Sequence, residues 1–273
     1  MTGPWNRLGN FFLLTSSSRA RLRRVPILGS LLAWVGRRIV PQDTLVWVQV
    51  KKGPAAGIWL HLNPRFEADY AGQNYEPAVE KALFSHVQPG GIFYDVGAHI
   101  GVFSLMAARL VGPRGCVFAF EPDPANLRRI GEHIERNQLP MIEPVSRAAW
   151  SSVGRARFER ANPRSSLNRG SLAAVAPVVS DETFEVETIT LDEFAVQNSP
   201  PDVIKLDVEG AETGVLRGAD MIFRRFKPVL VCEIHHPRAA SEVTQWLSER
   251  GYEWDWVEDF LEFPRHLLAQ YRN

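Results

Sequence analysis

The chain predicts an α/β fold, a mainly parallel β-sheet with helices on both faces, preceded by an N-terminal helical and hairpin extension. Three observations predict it. The first is IFYDVGAHIG at 92–101, where an apolar run ends in an acid and passes through two glycines into a segment of helical periodicity. The second is the alternation of strand-like and helix-like segments from there to about residue 257, the pattern of parallel strands joined by crossover helices. The third is VIKLDVEGAE at 203–212, a second apolar run that ends in acids and a glycine.

At 273 residues and 45% hydrophobic content, the chain can bury a substantial core, as one large domain or a domain with an appendage. The expected division is 1–74, a basic amphipathic extension with a β-hairpin, and 75–273, the main domain. Formal net charge is zero, yet residues 1–42 hold seven Arg and no acid. Overall neutrality argues against a nucleic-acid binder. A basic, acid-free amphipathic segment suits peripheral contact with an anionic membrane, a targeting role, or a cap over the main domain. No run of about 18 apolar residues is present, which argues against a spanning helix. Cys116 and Cys232 sit in apolar strand patterns and read as reduced core thiols, which fits a cytoplasmic setting.

Residues 45–50 and 58–62 read as a hairpin around KKGPAAG. EPAVEKALFSHV at 76–87 is an amphipathic helix, ended by Pro89-Gly90-Gly91. Ile92, Phe93, Tyr94 and Val96 are β-formers that make the first central strand, and Val102, Phe103, Leu105, Met106 and Leu110 recur at helical spacing after it. Gly97 and Gly101 let the backbone turn sharply and approach a ligand, whose polar groups meet the N–H groups of the new helix. Asp95, at the strand's end, repels phosphate and attracts an amine or a sulfonium. A dinucleotide fingerprint would need G-x-G-x-x-G in this turn; the chain has only Gly97 and Gly101. CVFAF at 116–120 is the second strand and ends in Glu121-Pro122, where an acid binds a ribose diol in nucleotide-binding α/β folds. A nucleoside with a positive centre and no phosphate satisfies both acids.

Asp123 and Pro124 open a helix over 124–137, followed by a strand over 142–149. The Ser-, Arg- and Gly-rich stretch 151–183 is too long for an ordinary connection. It reads either as an acceptor-recognising lid, with Arg155, Arg157, Arg160, Arg164 and Arg169 favouring an acidic or polyhydroxylated acceptor, or as a solvated insertion. FEVETITL at 184–191 alternates as a strand and leads into the helix start LDEF. The buried strand 203–206 carries Asp207 and Glu209 at its carboxyl end, with Gly210 turning into a helix. Ligands of doubly wound sheets lie where strand order reverses, so Asp95 and Asp207 are expected to face one crevice; two helix-capping carboxylates are the alternative. At the end of the strand 229–234, Glu233 and the following His235 share one face. Three readings stand for them: a general base, a divalent metal site with Asp207, or polar groups satisfied at a strand end. The base is the expectation and no metal ligand is assigned. A helix over 239–250, a strand over 252–257 and a last, antiparallel strand over 265–271 complete the chain.

DVGAHIG, AFEPDP, IKLDVEGAE and CEIHH together resemble the FkbM-type family of S-adenosylmethionine-dependent O-methyltransferases, from about Tyr75 to the C-terminus. The resemblance implies a Rossmann-like class I methyltransferase fold with a seven-stranded sheet, S-adenosylmethionine as cofactor, and a hydroxyl acceptor on a sugar, glycolipid or polyketide-like small molecule. With the residues read above, it puts Asp95, Gly97, His99, Gly101, Glu121, Pro122, Ala149 and Asp207 at the cofactor, and Asp207, Glu209 and His235 at the reacting hydroxyl. It sets residues 147–150 near the adenine, with Trp150 either stacked on the base or part of the core. The family usually has Asn where this chain has His99, and both side chains can hydrogen-bond the cofactor's methionine end. A nicotinamide oxidoreductase and a non-catalytic nucleoside-binding scaffold are the other classes; the absent glycine counts against the first, and a scaffold has no need of the acids and histidine at 207–209 and 233–236.

Overall fold

The structure, a computed structural model, describes residues 41, 44–71, 76–160, 170–172 and 183–272. The amphipathic segment expected before residue 41 lies outside them, as do Tyr75, Arg164 and Arg169. Two compact units are distinguished. The first comprises the described part of Met1–Pro77 with Glu135–Asn137. In it β1 (Val46–Gln49) and β2 (Trp59–Leu62) form the expected antiparallel hairpin. Val46, Val48, Leu60 and Leu62, alternate residues of the two strands, are buried. Asn137 holds the hairpin by accepting the N–H of Trp59 at 2.7 Å and donating to its carbonyl at 2.8 Å.

The second unit, Ala78–Ile134 and Gln138–Asn273, carries the alternation. After α1 (Pro77–Phe84) come β3 (Ile92–Val96), α2 (Val102–Val111), β4 (Cys116–Phe120), α3 (Pro124–Asn137) and β5 (Ile142–Val145). Further along are α4 (Leu191–Gln197), β10 (Val203–Leu206), α5 (Glu212–Arg217), α6 (Asp220–Arg225), β11 (Val229–Ile234), α7 (Pro237–Ser248), β12 (Tyr252–Trp256) and β13 (Arg265–Tyr271). Local chemistry sets several starts. Asp123 accepts the N–H of Ala125 at the head of α3, Thr190 caps α4 by accepting from Glu193 N–H, and His236 caps α7 with Pro237 in its first turn.

The main sheet is seven-stranded, in the order β12-β13-β11-β10-β3-β4-β5. β3, β4, β5, β10 and β11 run parallel, and β13 is antiparallel to both of its neighbours. This is the expected Rossmann-like class I arrangement. The central strands are buried nearly throughout, which is why they read as continuous apolar runs rather than alternating ones. The chain proceeds from β3 outward through β4 and β5, and later from β10 outward through β11. Strand order therefore reverses between β3 and β10, and their carboxyl ends flank the crevice where such sheets bind ligands.

Two expectations are corrected. The strand expected over 142–149 is two: β5 belongs to the main sheet, whereas β6 (Ala148–Ala149) pairs with β9 (Thr183–Ile189) in a second sheet. The stretch 151–183 is not a plain loop, because it contributes β7 (Gly154–Arg160) and β8 (Gly170–Leu172) to that sheet, ordered β6-β9-β7-β8. The strand character was hidden in its arginines. In β7 they alternate with Ala156 and Phe158, and they lie opposite acids of β9, Arg155 against Glu187 and Arg157 against Glu185, a favourable cross-strand pairing. Phe158, Leu172, Val186 and Ala148 close a small core of their own. No helix among the described residues is long and apolar enough to cross a membrane.

Candidate active site

The glycine turn after β3 is fixed by contacts that need glycine. Gly97 has φ 83° and Gly101 φ 80°, and the N–H groups of Gly97 and Ala98 both donate to the carbonyl of Phe120 at 3.0 Å, anchoring the turn on the end of β4. A Cβ on Gly97 would lie 1.8 Å from the Asp207 carbonyl oxygen. The tips of β3 and β10 therefore touch backbone to backbone. His99 adopts φ 52°, a left-handed conformation in which His, Asn and Asp are enriched among non-glycine residues, which accounts physically for either His or Asn at this place.

Glu121 locks this turn to the next. Its two carboxylate oxygens accept the backbone N–H groups of His99 and Asp123, each at 2.8 Å. Burial pushes its carboxyl up to about 8, against the opposing pull of those N–H groups. Asp95 is 1% exposed; one oxygen accepts from the Ser104 hydroxyl at 2.5 Å and the other is buried without a hydrogen-bond partner. Burial raises its pKa, opposed mainly by the charge of Lys205. Lys205 stands directly opposite Asp95 in the parallel register, is 4% exposed, and places Nζ 3.2 Å from Asp207 Oδ2 and over the Phe103 ring at 4.8 Å. One ammonium thus serves the acids of both strand ends.

On the other side of the crevice, the acids after β10 converge on His235, just beyond β11. His235 Nε2 lies 3.3 Å from Glu209, 3.7 Å from Glu233 and 4.0 Å from Asp207. Its Nδ1 is 2.7 Å from Glu212, whose side chain is fully buried and also accepts the N–H of Gly210 at 2.9 Å. Burial alone would lower the imidazole pKa, but the Glu212 hydrogen bond and then the charges of Glu209, Glu233 and Asp207 outweigh it and raise the pKa to about 9. Glu233 is pushed up by burial and then by Asp207. Beyond it, His266 approaches the other Glu233 oxygen at 3.7 Å and is itself held by Glu258 at 2.6 Å.

The structure thus brings Asp95, Gly97, His99, Gly101 and Glu121 together around the turn after β3, with Asp207 against Gly97, and sets Asp207, Glu209 and His235 together. Pro122 follows Glu121 at the tip of β4, and Ala149 is a buried residue of β6 paired with Ile189. The Trp150 ring packs against α5, where a Cβ on Gly214 would meet it at 2.3 Å. Of the five arginines in the stretch read as an acceptor lid or a solvated insertion, Arg160 makes a two-point bond to buried Asp123 at 2.6 and 2.8 Å, and Arg157 donates to Thr183 at 2.8 Å. Three site residues escaped the sequence reading: Lys205, Glu212 and Ser104. Only Lys205 gave a signal, since a lysine inside a buried strand is rare unless paired.

Residues 95–254 match the Methyltransferase FkbM domain. The chain belongs to the FkbM methyltransferase family. Hexuronic acid methyltransferase AglP of Haloferax volcanii is similar, 30% identical over 176 residues that cover 64% of this chain and 68% of that protein. Among solved structures, the FkbM methyltransferase from Methylobacillus flagellatus KT superposes with a TM-score of 0.50 at 20% identity, over 66% of this chain and 43% of the other. This chain thus spans under half the length of that FkbM protein, and the likeness between the two is one of fold. The matched segment begins at Asp95 and takes in the glycine turn, Glu121, Asp207, Glu209 and His235.

Proposed function

We propose that this FkbM methyltransferase moves a methyl group from S-adenosylmethionine to a hydroxyl of a sugar. The observation that carries the reading is the meeting of two acids, Asp95 and Asp207, at touching strand tips beside a glycine turn that leads into the N-terminus of α2. When bound, this cofactor supplies a methyl already activated on a positively charged sulfur, so alignment and exclusion of water are what the protein must provide, a contribution of about 7–11 kcal/mol in well-oriented reactions. The residues fit it. The Asp95 oxygen that is buried without a partner is an acceptor for the ammonium of the methionine end, and the first turn of α2, just after Gly101, offers N–H groups to its carboxylate. Glu121, oriented by two backbone N–H groups, keeps lone pairs for the ribose hydroxyls. Asp207 and Glu209 stand where the acceptor hydroxyl sheds its proton, ordered by His235, which Glu212 holds in place. The activity of the Haloferax volcanii relative on a hexuronic acid supports a sugar acceptor. The seven arginines of the acid-free segment 1–42 suit contact with an anionic membrane surface, where a glycolipid acceptor would be met.

The test is calorimetric titration of the protein with S-adenosylmethionine and with NAD, followed by incubation of methyl-labelled cofactor with hexoses and hexuronic acids. The expected result is saturable binding of the first cofactor alone, loss of that binding in Asp95→Ala, and label on a sugar oxygen. Equal cofactor affinity in wild type and Asp95→Ala overturns the assignment of Asp95.

A further inference from the structure

We propose that Asp207, Glu233 and His235 form a divalent-cation site at the carboxyl ends of β10 and β11, with Glu209 beside them as a fourth donor. Ligand atoms of the first three lie within 4.8 Å of one another. The His235 Nε2 distances to Glu209 and Glu233, 3.3 and 3.7 Å, are close to the edges of a coordination shell whose bonds are about 2.0–2.2 Å long. Closing the shell takes shifts of a few tenths of an ångström.

A second observation is independent of that spacing. The ring of His235 is turned so that Nδ1 meets the Glu212 carboxylate at 2.7 Å, in a side chain with no solvent exposure. That contact holds a hydrogen on Nδ1 and turns Nε2 toward Asp207, Glu209 and Glu233, where a cation would displace its proton. Nε2 is buried there without a hydrogen-bond partner. Carboxylate, histidine and cation in this order is how metal-binding histidines are commonly held, the outer acid setting the tautomer and raising the basicity of the ligating nitrogen. Charge points the same way. Four carboxylates lie around one imidazole, an arrangement that attracts a divalent ion. One imidazole with two or three carboxylates suits Mn²⁺, Fe²⁺, Co²⁺ or Zn²⁺ better than Ca²⁺.

The site's use in catalysis rests on the methyl-transfer reading: a cation here would bind the acceptor oxygen and ease loss of its proton to the carboxylate of Glu209 beside it. Its existence does not rest on that reading. The experiment strips the full-length protein with a chelator and titrates it with Co²⁺ and Mn²⁺ alone, following Co²⁺ absorption bands and Mn²⁺ electron paramagnetic resonance. About one ion per chain is expected, with a melting temperature that climbs as Mn²⁺ is added. Glu233→Gln and His235→Ala lose stoichiometric binding, while Glu212→Gln keeps it at ~10–100-fold lower affinity. Melting of each ion-free variant checks that it folds, and Glu253→Gln, an exposed acid elsewhere, leaves binding unchanged. Absence of saturable binding in the wild type, or stoichiometric binding that survives in a folded His235→Ala or Glu233→Gln, overturns the proposal. Methyl transfer to a sugar that persists in chelator would remove the cation from the reaction and leave the methyl-transfer reading standing; ion binding without S-adenosylmethionine binding would do the reverse.

Discussion

Replacing Gly97 with alanine tests whether the crevice depends on contact between the tips of β3 and β10. Two costs add at this position. An L-residue at φ 83° loses about 1–2 kcal/mol to left-handed backbone strain. The new Cβ would also sit 1.8 Å from the Asp207 carbonyl oxygen, so one strand tip must move by roughly 1.5 Å to restore ordinary van der Waals separation. The movement acts on three hydrogen bonds at the site: Asp207 N–H to Val96, and the N–H groups of Gly97 and Ala98 to Phe120. At about 1 kcal/mol net each, their weakening brings the total to about 4–5 kcal/mol. Gly90 supplies the control, because it has nearly the same φ, 82°, with nothing within 4 Å of its missing Cβ; Gly90→Ala carries the strain alone. With about 2–4 °C lost per kcal/mol in a domain of this size, calorimetric melting should fall by about 5 °C in Gly90→Ala and by about 10–20 °C in Gly97→Ala. Titration with S-adenosylmethionine should leave the first variant's affinity intact and weaken the second by roughly 100-fold, the scale of a 1 Å misplacement. Equal melting shifts, or unchanged affinity in Gly97→Ala, would refute the reasoning.

Glu121 makes cofactor affinity pH-dependent. Its carboxyl, pushed up to about 8 by burial, must ionise to accept two ribose hydroxyls, so affinity should rise through neutrality and level off above about pH 8, whereas Glu121→Gln should give a flat and weaker profile by calorimetry. The same shift has a stability sign. A folded pKa above the unfolded value favours the folded state below the ordinary carboxylate range and loses that contribution as pH rises through about 8, so Glu121→Gln should melt above wild type at alkaline pH, and a lower melting point there would count against it. Arg160→Ala should cost about 2–3 kcal/mol in urea unfolding by leaving buried Asp123 without its two-point partner. Acceptor KM should stay unchanged in that variant; a large rise in KM would return Arg160 to acceptor recognition.

What was legible in the sequence follows from how each feature is encoded. β3, β10 and β11 are covered on both faces, and their apolar runs end at an acid or a histidine, so strand and site were announced together by a few consecutive letters. Helix 124–137 was readable because Asp123 and Pro124 mark its start locally. The division between β5 and β6 was not, since residues 142–149 show where a chain is extended but not which sheet each half joins. Likewise β7 reads as a polar tract until its arginines meet the glutamates of β9. The site obeys the same distinction. Acids at strand tips are a local signature, whereas the groups that make those acids tolerable come from elsewhere: Lys205 faces Asp95 only through the pairing of β10 with β3, and Glu212 reaches His235 across 23 positions of sequence. A buried carboxylate survives only if something compensates it, so each acid read at a strand tip was already a statement that an unseen partner must lie close by. At Asp95 that partner is a lysine on the neighbouring strand, and at Glu212 it is the His235 imidazole, each brought there by a strand pairing or a turn that the acid's own neighbours in sequence do not specify.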